Sequence, residues 1–204
     1  MKQFYQIILA LFFSLFALNM FATHNRAGEI TYVHISGFTY KFTITTYTKV
    51  SGTSADADRT RLGISWGDGT FDSINRVSQI FLDADIKQNK YEGIHTYSAP
   101  FTYVVGMSDP NRIEQIININ NSVNTLFYLE DTIIVLNPTI LGFNSSPQLL
   151  NPPIEYGNVD ELFIHNPNAF DPDGDSLTFT IIAPQQASGL PVSGYTPPNL
   201  ISPG

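Results

Sequence analysis

Three carboxylates stand at alternate positions of one short segment, as Asp171, Asp173 and Asp175, with Gly174 between them. Carboxylates this close repel one another unless a cation or water separates them, and Ca²⁺ takes hard oxygen ligands from loops of this kind. The segment is not an EF-hand, because Gly174 is the fourth loop residue and Ile182 occupies the position of the bidentate Glu. We expect a calcium site of another type, and the alternative is a solvated acidic turn.

A second group of residues combines turn-forming, aromatic and ionisable side chains: Trp66, Gly67, Asp68, Gly69, His95 and Tyr97. The glycines permit a positive φ, and the Asp68 carboxylate can accept backbone N–H groups across a tight turn. Trp66 ends a predicted strand, where its indole would cap the core. Tyr97 precedes another strand, and its hydroxyl can bond to upstream backbone as a tyrosine corner does, with His95 as a brace. We therefore interpret this group as a structural motif.

Known catalytic motifs are missing from the sequence. It contains no cysteine, which excludes a thiolate nucleophile, a disulfide scaffold and a cysteine-based zinc site. It also lacks a G-x-S-x-G elbow, a phosphate-binding G-x-x-x-x-G-K-[ST] loop and an H-E-x-x-H zinc motif. We therefore predict that the chain is not an enzyme.

The charge balance narrows the possible partners. The 204 residues include 10 Lys and Arg against 18 Asp and Glu, a formal net charge of −8. Recognition of phosphate backbones needs a basic surface, so we expect no nucleic-acid partner. Charged residues make up only 14% of the chain and aromatic residues 13%, a composition that can bury enough apolar surface to fold.

The elements that position these residues are predicted to be β-strands. Residues 38–45 alternate apolar and polar side chains without a break, which places Tyr40, Phe42 and Ile44 on one face of a strand. Clusters of turn-forming residues separate further predicted strands at residues 29–35, 62–66, 77–82, 101–107, 112–119 and 126–136. A short helix is expected, if anywhere, within residues 74–90. The pattern predicts an all-β chain that begins with an antiparallel, immunoglobulin-like β-sandwich.

Residues 1–22 differ from the rest of the chain. A basic start precedes an apolar run that ends at Ala22, just before the polar residues Thr23 and His24. This layout is typical of a secretory signal peptide cleaved after Ala22; the alternative is an uncleaved anchor helix. We expect a bacterial protein that is secreted or held at the cell surface, with no membrane span after cleavage.

A boundary between two domains is predicted near residue 140. Prolines crowd residues 137–153 more densely than a central strand permits. Residues 23–140 have the usual size of one sandwich, whereas residues 141–204 have strand patterns only at 162–165 and 177–182 and end in a segment rich in Pro, Gly and Ser. Half a sandwich leaves an open edge and an unfilled core. We therefore expect residues 141–204 to be the start of a second β-sandwich in a truncated sequence.

Two stretches resemble known families. The segment Ser65-Trp66-Gly67-Asp68-Gly69-Thr70, followed by His95-Thr96-Tyr97 and a Tyr103-Val104-Val105 strand, resembles the PKD (polycystic kidney disease) domain over about residues 62–109. Residues 171–177 look like the D-x-D-G-D-x-L motif of cadherin-like bacterial domains. That resemblance implies Ca²⁺ ligation by Asp171, Asp173 and Asp175. Together with residues 23–32, the chain looks like the N-terminal part of gliding-motility-associated or adhesin-like surface proteins of Bacteroidota.

The sequence is compatible with two functions. The first is a non-catalytic surface module for adhesion or scaffolding that binds an extracellular protein or polysaccharide. The alternative is an accessory region that holds substrate for a secreted hydrolase whose catalytic domain lies elsewhere. For a glycan partner we expect exposed aromatic platforms at Tyr32, Tyr47 and Tyr103.

Overall fold

The computed structural model describes residues 25–51, 59–110, 112–137, 142–158 and 161–200. The predicted signal peptide, residues 1–22, lies outside the described residues. Within those ranges the regular structure is β-strand, apart from two 3-10 turns at Ser122–Asn124 and Pro198–Leu200. The prediction of an all-β chain is confirmed.

Seven strands form one antiparallel sheet with the order β1-β2-β5-β4-β3-β6-β7. Their bounds are β1 Asn25–Ser36, β2 Thr39–Lys49, β3 Arg61–Ser65, β4 Phe71–Phe81, β5 Ile86–Thr96, β6 Phe101–Asp109 and β7 Phe127–Val135. The sheet folds over so that β1 lies against β7, and a Cβ on Gly28 of β1 would lie 2.7 Å from the Leu129 side chain of β7. This arrangement is consistent with a β-sandwich.

Aromatic side chains fill the core between the two halves of the sheet. The alternation predicted for β2 is confirmed, because Tyr40, Phe42 and Ile44 are buried while the residues between them point outward. The Phe42 and Trp66 rings lie 5.2 Å apart between their centroids. Trp66 and Tyr97, from the predicted motif, belong to this core.

The helix expected within residues 74–90 is wrong. These residues form most of the antiparallel hairpin of β4 and β5. The inward face of β5 carries the polar residues Lys87 and Asn89 as well as Tyr91. The strand therefore lacks the alternation of apolar and polar residues by which a half-buried strand is recognised. Buried Asn89 donates a hydrogen bond from Nδ2 to Thr48 Oγ1 of β2 over 3.1 Å, so a polar contact replaces the apolar one that the pattern would have revealed.

The strand predicted at residues 112–119 is also wrong. Only Arg112 forms a β-bridge, to Asn25, and the chain then turns. Gln115 has a φ of 61°, which a strand cannot accommodate, and the Ile119 N–H bonds to the Ile116 carbonyl over 3.1 Å. The alternation of Ile with polar residues therefore belongs to a series of turns.

The second half of the chain contains shorter strands. β8, Gln148–Leu149, pairs with β9, Ala169–Phe170, and β10, Gln185–Ala187, pairs with β11, Leu190–Pro191. The strands predicted at residues 162–165 and 177–182 are wrong, because these residues have no ladder partner and remain outside any strand. Their apolar side chains are solvent-exposed, up to 86% for Leu162 and 84% for Ile181.

Parts of the second half lie along both outer strands of the seven-stranded sheet. At β1, the N–H of Ser146 donates to the Tyr32 carbonyl over 3.0 Å, and the Tyr32 N–H donates to Ser146 Oγ over 2.7 Å. At the other edge β10 lies against β7, where Gln185 Nε2 donates to Glu130 Oε1 over 2.9 Å. The contacts at β1 satisfy backbone groups that an open edge would leave free for aggregation, whereas the hydrogen bond at β7 joins two side chains.

Candidate functional site

The Trp66–Gly69 turn is held by the side chain of Asp68. Oδ1 of Asp68 accepts hydrogen bonds from the N–H and the hydroxyl of Thr70, over 3.0 and 2.5 Å. Oδ2 lies 2.8 Å from Nε2 of His95. Burial raises the pKa of Asp68, but the hydrogen bonds from Thr70 and His95 outweigh this effect and leave the pKa below its ordinary value. Asp68 is thus the centre of a local network.

Trp66, His95 and Tyr97 form an aromatic stack beneath this turn. The imidazole of His95 lies parallel to the Trp66 ring, with centroids 4.7 Å apart and an interplanar angle of 7°. The Tyr97 hydroxyl donates to the Trp66 carbonyl over 3.0 Å, across 31 positions of sequence. Trp66 and Tyr97 are only 2% and 1% exposed. The side chains that could have done chemistry here are therefore engaged with one another and with backbone.

Gly67 is required by a close approach of the turn to the backbone of β6. Its φ is 84°, and a Cβ at this position would lie 2.6 Å from the carbonyl oxygen of Val104. Gly69 also has a positive φ, 88°, but a Cβ there would meet nothing within 4 Å. The first glycine serves packing as well as backbone conformation, and the second serves conformation alone.

The acidic segment of the second half forms a compact turn around Asp171. This residue is buried, and its Oδ1 accepts the N–H groups of Asp173 and Asp175 over 2.8 and 3.2 Å. Asp173 Oδ2 in turn accepts the N–H of Ser145 over 2.6 Å, which ties the turn to the segment that lies along β1. Gly174 has a φ of 85°, as the turn requires. Asp171 and Asp173 thus act as backbone acceptors.

No group of three or more His, Cys, Asp or Glu side chains is gathered to hold a metal ion anywhere in the described ranges. Asp173 and Asp175 instead line a cavity of about 450 Å³ together with Phe143 and Asn144. The calcium site at Asp171, Asp173 and Asp175 stays a prediction, and the structure gives these residues the role of a hydrogen-bonded turn.

The aromatic platforms expected at Tyr32, Tyr47 and Tyr103 are wrong. All three side chains are buried, with 5%, 2% and 7% of their surface exposed. Burial raises the pKa of Tyr32 to about 12, against the lowering effect of a hydrogen bond from Asn144. Tyr32 and Tyr103 pack in the core, and Tyr47 is buried on the outer face of β2, so none of the three forms an exposed platform.

A groove that the sequence analysis did not anticipate crosses the outer face of β1, β2 and β5. It encloses about 370 Å³ between this face and residues 148–152. We call it the polar groove. Two cross-strand rows form its floor: Glu29, Thr45 and Lys90 in one, Thr31, Thr43 and Glu92 in the next. The polar residues at alternate positions of β2 indicated a polar outer face. Nothing in the sequence indicated that a distant segment of the chain covers this face.

Charges within the polar groove are paired. Lys41 Nζ donates to Glu92 Oε1 over 3.3 Å. Burial raises the pKa of Glu29, and attraction to the Lys90 ammonium partly offsets this effect. Deeper on the same face, Gln88 Nε2 donates to the Tyr47 hydroxyl over 3.1 Å. The groove therefore offers many hydrogen-bonding groups with no net charge among its Glu and Lys residues.

A second groove of about 410 Å³ lies on the outer face of the opposite half of the sheet. Gly63 and Gly106 form part of its floor, and the Tyr128 ring covers Gly106 so closely that a Cβ there would lie 2.6 Å from the Tyr128 hydroxyl. Phe71 borders it and is 77% exposed. This groove is mainly apolar, in contrast to the polar groove.

Comparisons with known proteins identify no relative: no protein-family model matches the chain, and neither a curated protein nor a solved structure matches it. Over the described residues, no helix is long and apolar enough to cross a membrane. The geometry of the chain itself must therefore support any proposal about its function.

Proposed function

We propose that this chain is a non-catalytic module, secreted or displayed at the bacterial cell surface, that serves adhesion or scaffolding by binding an extracellular protein or polysaccharide. The observation that carries the proposal is that the ionisable side chains of the two turns are engaged in hydrogen bonds within the fold. Asp68 and His95 form a hydrogen bond with each other, and the His95 ring stacks on Trp66. Asp171 accepts hydrogen bonds from two backbone N–H groups. These residues stabilise the fold, which favours a binding role over a catalytic one.

The groove on the outer face of the sheet supports the same proposal. A β-sandwich recognises partners through its outer faces and loops, and here a second segment of the chain builds a groove on one such face. The motif residues also fit the PKD-like resemblance, since Trp66 and Tyr97 lie in the core and the glycine turn joins two strands. The acidic composition and the predicted signal peptide are compatible with export.

Attachment of the producing cells to surfaces tests the proposal. Cells lacking the coding segment should attach less to a glycan- or protein-coated surface, while their growth rate stays unchanged. Expression of the full chain should restore attachment. Equal attachment by the deleted and the restored cells would contradict the adhesive role. Hydrolysis of a polymer by the purified chain would contradict the non-catalytic one.

A further inference from the structure

We propose that the polar groove binds a neutral polysaccharide, with sugar rings lying across β1, β2 and β5 beneath residues 148–152. This inference rests on the proposed function, because it names the ligand class of a module that is proposed to bind an extracellular partner. The floor, the wall and the rim of the groove each support it.

The floor is a grid of hydrogen-bonding side chains. Thr31 and Thr43 stand opposite each other in the ladder of β1 and β2, and Thr43 stands opposite Glu92 in the ladder of β2 and β5. Each hydroxyl can both donate and accept, as every hydroxyl of a sugar can. A ligand lying across these strands would meet donors and acceptors on three adjacent strands, spaced at the interval between strands of about 5 Å.

The charges of the floor select against ionic ligands. Glu29 and Glu92 balance Lys41 and Lys90, so the floor has no net charge to attract either an anionic or a cationic polymer. The Lys41–Glu92 pair already neutralises itself at 3.3 Å. Burying an unpaired charge in such a groove would cost more than burying a neutral hydroxyl that finds a partner. A neutral, hydroxyl-rich ligand fits this floor best.

The wall of the groove is fixed before any ligand arrives. Gln148 and Leu149 belong to β8, which is paired with β9. Just beyond, Asn151 bonds through its N–H to the Pro167 carbonyl over 3.1 Å and through Nδ2 to the Asn166 carbonyl over 2.8 Å. A preformed wall lowers the entropic cost of binding. The groove is thus built by two separate parts of the chain.

The rim supplies apolar surface for the C–H faces of sugar rings. Val33 borders one side and is 42% exposed, and Leu150 borders the wall side and is 56% exposed. An extended peptide fits less well, because the backbone groups of β2 are consumed by the ladders with β1 and β5. A peptide backbone would find only side chains as partners here, so strand addition is excluded at this face.

The experiment measures sedimentation of the purified full chain with insoluble polymers: cellulose, mannan and chitin as neutral probes, polygalacturonate as an anionic probe and gelatin as a protein probe. Thr43→Tyr fills the middle of the floor with a residue that strands accept, so the outward face changes and the core does not. Its matched control is Thr132→Tyr on the outer face of β7, away from the groove. Glu92→Gln removes one carboxylate, with Glu114→Gln as its exposed control outside the groove. Urea unfolding followed by the single tryptophan verifies that each variant is folded.

We expect sedimentation with at least one neutral polysaccharide, a loss of affinity of about tenfold or more in Thr43→Tyr, and binding equal to wild type in both controls. Glu92→Gln should weaken binding in the same direction, and it decides the matter if Thr43→Tyr does not fold. The inference is overturned if groove variants bind as wild type does, if only polygalacturonate or gelatin is bound, or if no neutral polymer is bound. In each of these cases the attachment assay above still decides the proposed function separately.

Discussion

Asp131 provides a pH-dependent test of the sandwich core. It lies on the inward face of β7, opposite Val105 of β6. Its Oδ2 is buried and accepts no hydrogen bond from any described residue. Burial raises the pKa of Asp131 from 3.8 to about 6, against the lowering effect of a hydrogen bond from the Thr132 N–H. The folded state therefore prefers the protonated form of this carboxyl.

The direction of the effect on stability follows from that preference. Below about pH 3 the carboxyl is protonated in both the folded and the unfolded chain and contributes no pH dependence. As the pH rises toward 6, the unfolded state loses its proton first, so the free energy of unfolding falls, and above about pH 6 the whole penalty is present. One pKa unit corresponds to about 1.4 kcal/mol, so the penalty at neutral pH is roughly 3 kcal/mol.

Asp131→Asn removes the ionisation at nearly constant shape. The variant should be more stable than wild type at neutral pH by as much as roughly 3 kcal/mol, and less than about 1 kcal/mol of this advantage should remain at pH 4. Urea unfolding monitored by the fluorescence of Trp66, the single tryptophan, measures both proteins between about pH 4 and pH 7.5. Asp72→Asn, an exposed carboxylate on β4, is the matched control and should show little difference.

A stability difference between Asp131→Asn and wild type that stays constant across this pH range would refute the reasoning. So would an advantage that grows toward low pH, because it would mean that the folded state stabilises the carboxylate. The comparison uses the difference between two proteins, which cancels titration of the other acidic residues.

Four further outcomes are expected for the motif turn and the acidic turn. Trp66→Ala should lower the free energy of unfolding by about 3–5 kcal/mol, since it truncates a side chain that is 2% exposed, and an unchanged thermal melt would contradict its place in the core. Gly67→Ala should destabilise more than Gly69→Ala in urea unfolding, because both have positive φ but only the first adds a clash with backbone; equal losses would contradict the close approach. Tyr97→Phe should cost about 1–3 kcal/mol by leaving the Trp66 carbonyl without its donor, and a loss near zero would mean that this bond is dispensable. Millimolar Ca²⁺ should raise the melting temperature if the predicted calcium site forms, whereas no change would leave the acidic turn a hydrogen-bonded structure alone.

Local sequence patterns were sufficient to predict the strands of the sandwich that have one apolar face. The alternation around Phe42 predicted the buried face of β2, and the Trp66–Gly69 segment predicted a turn with a capping carboxylate. β5 escaped prediction because its inward residues include Lys87 and Asn89, whose burial depends on partners in other strands. Periodicity reports apolar burial, and polar burial has no comparable signal.

Long-range contacts explain the remaining differences. The residues around Leu162 and Ile181 have strand-like composition, but a strand exists only where another strand pairs with it. The polar groove requires the wall near Leu150 to meet the floor near Thr43, more than a hundred residues earlier in the chain. Spacing within one segment cannot predict such a meeting. The buried state of Tyr32 and Tyr47 has the same origin, because both contact residues that are distant in sequence.

The most direct test of export and surface display is protease treatment of intact producing cells, followed by mass spectrometry of the surviving chain and its N-terminus. The proposed function predicts a chain that begins at Thr23 and is degraded by protease added outside the cells, or that is recovered from the medium. A chain that still carries residues 1–22 and survives protease until the cells are broken would contradict it.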